Sequence, residues 1–136
     1  MDKSIITIKQ AHSIENVISK SRFIAYIKPV STENEAKAFI DEIKTKHKDA
    51  THNCSAYTVG PEMNIQKAND DGEPSGTAGI PMLEILKKQE IHNVCVVVTR
   101  YFGGIKLGAG GLIRAYSGAV RDAIYDIGRV ELREAI

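Results

Sequence analysis

The fold is decided by residues 94–114, which read VCVVVTRYFGGIKLGAGGLIR. The run from Val94 to Val98 is continuously apolar, which is the pattern of a strand covered on both faces. A glycine-rich segment follows. Beyond it, apolar residues recur on one helix face, namely Leu112, Ile113, Tyr116, Ala119, Val120, Ala123 and Ile124. The sequence therefore predicts a buried strand, a glycine-rich loop and a helix that Gly128 ends.

The rest of the chain alternates between strand and helix patterns. Strands are predicted over residues 5–9, 22–30 and 51–59, and residues 65–68 suit the returning strand of a hairpin. Ser31 or Thr32 offers an N-cap for a helix with an apolar stripe over residues 36–43. Residues 70–81 are predicted to form a loop, and Pro81 suits the first turn of a short helix.

The glycine-rich segment is the candidate functional site. Five glycines lie between Gly103 and Gly111, which indicates positive φ angles or a close approach of another group to the backbone. A loop between a strand and a helix N-terminus can direct free N–H groups at an anion, and residues 99–121 contain no acid. The candidate anion or nucleic-acid contacts are Arg100, Lys106, Gly108, Gly110, Gly111, Arg114 and Arg121, with Lys20 and Arg22 as an extension of the patch.

Two interpretations of this segment stay open. Tyr101 and Phe102 either stack on a base or pack in the core, and Gly103 with Gly104 either serves a ligand or only forms a tight turn beside solvated arginines. Known nucleotide motifs do not fit. A P-loop would need lysine where Ala109 stands, and Ile113 occupies the last glycine position of a dinucleotide fingerprint.

Three acids, Asp70, Asp71 and Glu73, are concentrated in the loop over residues 70–81. Carboxylates can hold a divalent cation or act as acid and base, but the spacing is not that of an EF-hand. We favour a structural role in which Asp71 and Glu73 pair with Arg100 or Arg114. No metal and no cofactor is expected.

His52 and Cys54 lie on one face of the predicted strand over residues 51–59. Zinc needs four ligands at matched spacing, and the other histidines and Cys95 provide no second pair. A nucleophilic cysteine would need an identified base, so Cys54 is best interpreted as a small buried residue and no catalytic residue is assigned.

The composition is that of an ordinary globular domain, with 43% hydrophobic and 26% charged residues in 136 and a formal net charge of +1. A basic recognition surface must therefore come from the placement of charges. No apolar run is long enough to span a membrane. The two cysteines form no C-x-x-C pair and no secretory signal is evident, which favours the cytoplasm.

Two long motifs resemble the IMPACT family, in its bacterial YigZ/YvyE branch. They are DDGEPSGTAGIP at residues 70–81 and TRYFGGIKLGAGGLIRAY at residues 99–116, and KSRF at residues 20–23 and HNCSAY at residues 52–57 look like further family landmarks. The resemblance covers about residues 15–127.

The resemblance implies an α+β fold, a two-layer βαβ sandwich like the second domain of ribosomal protein S-five, with a left-handed βαβ crossover. The IMPACT-type domain is expected at residues 1–128. Bacterial relatives carry a ferredoxin-like second domain, so residues 129–136 are interpreted as a tail or the start of a linker to that domain. Eukaryotic members are linked to translational control.

The favoured hypothesis is a non-catalytic binding module that contacts RNA, the ribosome or a translation factor. The alternative is an enzyme that acts on a small phosphorylated or anionic substrate through the glycine-rich loop, with Asp71 or Glu73 as acid–base. A protein-interaction domain is the third hypothesis. The sequence does not indicate the oligomeric state.

Overall fold

The computed structural model describes residues 3–134. Along the chain the elements are β1 (Lys3–Ile8), β2 (His12–Ile18), β3 (Ser21–Pro29), α1 (Glu33–Lys46), β4 (His52–Val59), β5 (Ile65–Asn69), α2 (Gly79–Lys88), β6 (Val94–Tyr101), α3 (Gly108–Ile127) and β7 (Arg129–Glu134). None of the helices in these residues is long and apolar enough to cross a membrane.

The central sheet has the strand order β2-β3-β6-β4-β5, and every neighbouring pair is antiparallel. It follows that β3 and β4 run parallel on either side of β6, and that α1 connects them. In the same way α2 connects β5 to β6, with β4 between these two parallel strands. The predicted α+β class and its βαβ units are confirmed, while the left-handedness of the crossover stays a prediction.

The central strand β6 is covered on both faces, as its apolar run predicts. Val94, Val96 and Val98 pack in the core formed with α2 and α3, whereas Cys95 and Val97 pack in a second core formed with α1. The sheet with α2 and α3 forms the predicted sandwich, and α1 covers the opposite face. Because side chains alternate along a strand, one apolar run serves both cores.

Helix α1 begins with the predicted N-cap. Thr32 accepts a hydrogen bond from the backbone N–H of Glu35 at 3.1 Å, and the Glu35 carboxylate accepts one from the Thr32 N–H at 3.0 Å. These reciprocal bonds form a capping box. Helix α3 ends at Gly128, as predicted, and φ is 83° there.

Strand β2 was not predicted from the sequence. It pairs with β3 through a two-residue turn, Ser19-Lys20, whose φ angles are 47° and 65°. Such turns normally contain Asn-Gly or Asp-Gly, so the usual hairpin signal is absent here.

Residues 129–134, part of the segment interpreted from the sequence as a tail or the start of a linker, have regular structure. They form β7, which pairs with β1 from Lys3↔Glu134 to Ile8↔Arg129. The alternation of Val130 and Leu132 with charged residues is the pattern of a strand. This two-stranded sheet joins the core through the His92 N–H, which donates to the Ile6 carbonyl at 2.7 Å. The boundary of the domain at residue 128 stays a prediction.

Candidate anion-binding site

A cleft of about 390 Å³ opens between the acidic loop, the ends of β4 and β6, and the beginning of α3. His52, Glu73 and Arg100 line its polar part, and Phe102 and Lys106 lie on the segment that leads into α3. The Phe102 N–H donates to the Thr51 hydroxyl at 3.0 Å, which holds this segment against β4. The fold therefore brings the acidic motif and the glycine-rich motif together.

Arg100 is buried, with 5% of its surface exposed. Its Nη1 donates to both Glu73 carboxylate oxygens at 3.1 and 2.9 Å, and its Nε donates to the Ser21 hydroxyl at 3.3 Å. The expected ion pair between Glu73 and Arg100 is thus present. Arg100 is therefore a buried side chain whose charge is balanced by Glu73.

Glu73 is the centre of a buried polar cluster. Besides Arg100, it accepts a hydrogen bond from the Tyr116 hydroxyl, and His52 Nε2 lies 3.3 Å from its Oε1. Burial raises the pKa of Tyr116, and the adjacent Cys54 thiol and Glu73 carboxylate raise it further, so the phenol stays protonated and donates. Every oxygen of Glu73 therefore has a donor, which leaves this carboxylate poorly placed to act as a general base.

Asp70 caps α2 rather than facing the cleft. Its carboxylate accepts hydrogen bonds from the backbone N–H groups of Gly76 at 2.9 Å, Ala78 at 3.1 Å and Gly79 at 2.8 Å. Burial alone would raise the pKa of this carboxyl, but the three N–H groups outweigh that effect and hold the pKa below its usual value. Asp70 thus closes the acidic loop and satisfies N–H groups around the start of α2.

We expect the Asp70 cap to make the fold sensitive to acid. The pKa of Asp70 is lower in the folded chain than in the unfolded chain. The contribution of this carboxylate to folding stability is therefore complete above the pKa of the unfolded chain, and it is lost as the pH falls through the pKa of the folded chain. Urea unfolding between about pH 5 and pH 2 should show a smaller loss of stability in Asp70→Asn than in the wild type. An unchanged loss would contradict this role, and Asp41→Asn on the exposed face of α1 is the control.

Asp71, His52 and Cys54 are also held by the protein. The Asp71 carboxylate accepts from the Asn53 N–H at 2.7 Å and lies 3.7 Å from Lys44, not beside an arginine. His52 Nδ1 donates to the Asp71 carbonyl at 2.9 Å, and the Cys54 thiol donates to the Asp70 carbonyl at 3.1 Å. Cys54 is fully buried, and that burial raises its pKa, so the thiol is protonated.

Within residues 3–134, no group of three or more histidine, cysteine or acidic side chains is placed to hold a metal ion.

The other predicted cations divide into two groups. Lys106 and Arg114 line a shallow depression of about 300 Å³ between the start of α3 and the β2–β3 turn, where Lys20 lies. Arg22 is bound to Glu15 at 2.9 and 3.1 Å, and Arg121 lies beside Tyr125 and Arg129 in a different depression. The structure therefore brings Lys106 and Arg114 together, places Lys20 in the neighbouring β2–β3 turn, leaves Arg22 paired with Glu15, and separates Arg121 from the others.

The glycines serve different purposes. A Cβ at Gly103 would lie 1.9 Å from the Lys20 carbonyl oxygen, so this glycine permits the close approach of the β2–β3 turn. Gly104 and Gly108 have φ angles of 93° and 73°, which favour glycine. Gly110 and Gly111 lie in the first turn of α3, which contains no acid and has no side-chain cap. The first N–H groups of α3 have no acceptor within the helix, as expected for an anion cradle.

Tyr101 and Phe102 point to opposite sides of the sheet. The Tyr101 hydroxyl contacts His47 Nδ1 at 2.6 Å and Asp49 at 3.2 Å, on the side of α1. Phe102 lines the cleft, is 44% exposed, and lies 5.2 Å from the Arg100 guanidinium. Of these two aromatic residues, Phe102 lines the cleft and Tyr101 does not.

The α+β fold, with the acidic loop and the glycine-rich segment meeting at one cleft, matches a known class of domain. A family model described as the Impact N-terminal domain matches residues 19–124. IMPACT family member YvyE of Bacillus subtilis (strain 168) is 62% identical over 128 residues, which are 94% of this chain and 59% of that protein. IMPACT family member YigZ of Escherichia coli (strain K12) is 44% identical over 109 residues, covering 79% of this chain and 53% of that protein.

Two solved structures are similar to this chain. One, described as the crystal structure of a hypothetical protein, has a TM-score of 0.91 and 36% identity, and the match covers 96% of this chain and 64% of that one. The other, the two-domain translational regulator Yih1, has a TM-score of 0.50 and 28% identity over 90% of this chain and 47% of that one.

The chain belongs to the IMPACT family, in its bacterial YigZ/YvyE branch. It spans little more than half the length of the two bacterial relatives.

Proposed function

We propose that this domain is a non-catalytic module that binds RNA of the translation machinery in the cytoplasm and takes part in the regulation of translation. The observation that carries the proposal is the cationic surface formed by Lys106 and Arg114 at the N-terminus of α3, with Lys20 in the adjoining β2–β3 turn, which we call the α3 surface. The link to translation is supported by the similarity to Yih1, which is described as a translational regulator.

The charges of the α3 surface are available to a ligand. Lys20, Lys106 and Arg114 are all exposed, and none of them forms an ion pair with another residue in the part of the chain that the structure describes. The N-terminal end of the α3 dipole adds positive potential at the same place, and no acid in the first turn opposes it. Such a surface suits the phosphates of a nucleic-acid backbone.

A non-catalytic role is supported by the state of the reactive groups. Glu73, Asp70 and Asp71 are each bound to donors of the protein, and the Cys54 thiol is buried and protonated. These residues therefore serve to hold the acidic loop against β4 and α2.

RNA binding by the α3 surface should depend steeply on salt. We expect Lys106→Ala/Arg114→Ala to weaken binding to single-stranded RNA and to reduce the slope of log affinity against log salt by about 1.4, since each lost phosphate contact removes about 0.7. Fluorescence anisotropy at a series of salt concentrations measures both quantities.

The matched control is Lys88→Ala/Arg121→Ala, which also removes two exposed cations but from other parts of the surface. Its affinity and salt slope should equal those of the wild type. Equal losses in the two double variants would show only a nonspecific charge effect, and binding that neither variant changes would place the RNA elsewhere; both results contradict the proposal.

A further inference from the structure

We infer that the cleft beside Arg100 binds a single nucleotide unit, with the phosphate at the start of α3 and the base against Phe102. The α3 surface above accounts for contacts to a nucleic-acid backbone and does not use Phe102 or Arg100. The cleft is therefore a second, adjacent site, and the two share Lys106 and Leu107 in their linings.

The size and walls of the cleft suit a small aromatic ligand. Its volume of about 390 Å³ lies within the range of small-molecule pockets. Pro74, Leu107 and Leu112 supply apolar wall, and Phe102 supplies an aromatic ring. A few polar side chains, Thr51, His52, Glu73, Arg100 and Lys106, share this lining and can orient a ligand.

Arg100 offers one unused donor group. Its Nε and Nη1 are bound to Ser21 and Glu73, whereas Nη2 forms no hydrogen bond with a residue in the described range. Among residues 3–134, no fully buried side-chain nitrogen or oxygen lacks a partner, so Nη2 is reached by solvent. Since Arg100 is almost fully buried and lines the cleft, that access is from the cleft.

The Arg100 guanidinium is also fixed in orientation. It lies 5.5 Å from the ring of Phe23 and 5.2 Å from the ring of Phe102, and two of its nitrogens are bonded. A donor held in this way binds a phosphate oxygen without further loss of side-chain entropy.

Positive potential converges on the same place. Gly108 and Ala109, in the first turn of α3, line the cleft together with Lys106. The charges of Arg100 and Glu73 balance each other, so Lys106 and the helix N-terminus leave a net positive field. That field favours an anionic phosphate over a neutral or cationic group.

Phe102 gives the site its preference for a base. The ring is 44% exposed at the cleft although the residue is large and apolar. Stacking of a base on an aromatic ring contributes to affinity whatever the base, so all four nucleoside monophosphates should bind. The site is thus expected to recognise the phosphate and the aromatic ring of a nucleotide and to discriminate little between bases.

Isothermal titration calorimetry at low salt tests this inference. The probes are the four nucleoside monophosphates, the matched nucleosides, inorganic phosphate and a short oligouridylate. We expect the nucleotides to bind more tightly than either the nucleosides or phosphate. Phe102→Ala should weaken nucleotide binding about tenfold and leave phosphate binding unchanged, whereas Lys106→Ala should weaken both.

Two variants separate the cleft from the α3 surface. Arg114→Ala should leave mononucleotide binding unchanged while it weakens RNA binding. Arg100→Lys keeps the charge but removes Nη2, so it should weaken phosphate and nucleotide binding. Thermal unfolding checks that this buried variant is folded, and the conclusion can stand on Phe102→Ala alone because Phe102 is exposed.

The results also identify the source of the nucleotide. Phe102-dependent binding of free nucleotides but not of the oligonucleotide indicates a free metabolite, and Phe102-dependent binding of both indicates a nucleotide of an RNA chain. The inference is wrong if wild type and Phe102→Ala bind nucleotides and oligonucleotide equally, or if neither ligand binds. A further result is that RNA binding is lost in Lys106→Ala/Arg114→Ala and retained in Phe102→Ala. That result would show that the cleft does not bind a nucleotide of an RNA chain, while the proposed function of the α3 surface would stand.

Discussion

Replacing Glu73 with alanine is expected to lower the free energy of unfolding by about 4 kcal/mol, because it leaves the Arg100 guanidinium buried without its counter-ion. The wild-type carboxylate receives hydrogen bonds from Arg100 and Tyr116, and His52 lies beside it. Removing it therefore leaves several buried donors unsatisfied at once. In a domain of this size, the loss corresponds to a decrease of about 15 °C in Tm.

Urea unfolding of Glu73→Ala measures this cost, and Glu84→Ala is the matched control. Glu84 lies 3.4 Å from Lys87 on the exposed side of α2, and such surface pairs contribute less than about 1 kcal/mol. A Glu73→Ala variant as stable as Glu84→Ala would refute the buried cluster.

The double variant Glu73→Gln/Arg100→Met separates charge burial from packing. If the cost arises mainly from an unpaired guanidinium, the double variant should be more stable than Glu73→Gln alone, because the uncompensated charge is gone. If the decrease in the free energy of unfolding of the double variant equals the sum of the decreases in Glu73→Gln and Arg100→Met, the two side chains act independently.

The burial of Arg100 was predictable from residues 94–100, although the sequence interpretation gave Arg100 only as an anion contact or as a partner of Asp71 or Glu73. Side chains alternate along a strand, so Arg100 shares a face with Val94, Val96 and Val98 and points towards the core under α2 and α3. Which acid pairs with Arg100 could not be predicted from the sequence. Glu73 and Asp71 stand two residues apart in one loop, and only the folded chain decides that Glu73 meets Arg100.

The elements that sequence reasoning found have strong local signals. The apolar run of β6 and the apolar stripe of α3 are set by short-range periodicity, and both were confirmed except at Ile113, which was assigned to the stripe and is 41% exposed. Strand β2 lies at the edge of its sheet and is only half covered, and the signal of β7 is limited to the short alternation of Val130 and Leu132 with charged residues. The position of β7 also depends on β1, a partner at the other end of the described chain, whereas β2 pairs with the adjacent strand β3 through a turn that lacks the usual residues.

The same distinction applies to the cations. Arg114 and Arg121 are seven residues apart, so both fall on a similar side of α3, and the sequence suggested one patch. The structure separates them along the helix axis, into depressions at opposite ends of α3. The turn that carries Lys20 lies beside this depression because it packs against Gly103, which is a long-range contact.

Replacing Gly103 with alanine is expected to destabilise the domain by about 3 kcal/mol, because the new Cβ would overlap backbone atoms of Lys20. It would lie 1.9 Å from the Lys20 carbonyl oxygen and 2.2 Å from its carbonyl carbon. Backbone cannot rotate away as a flexible side chain can, so the β2–β3 turn must move away from the loop that carries Phe102 and Lys106. Gly118→Ala, in the interior of α3 with no atom within 4 Å of the new Cβ, should instead stabilise the fold by up to about 1 kcal/mol. Chemical unfolding of the two variants should therefore give shifts of opposite sign, and a Gly103→Ala variant as stable as the wild type would show that the turn does not pack against this loop.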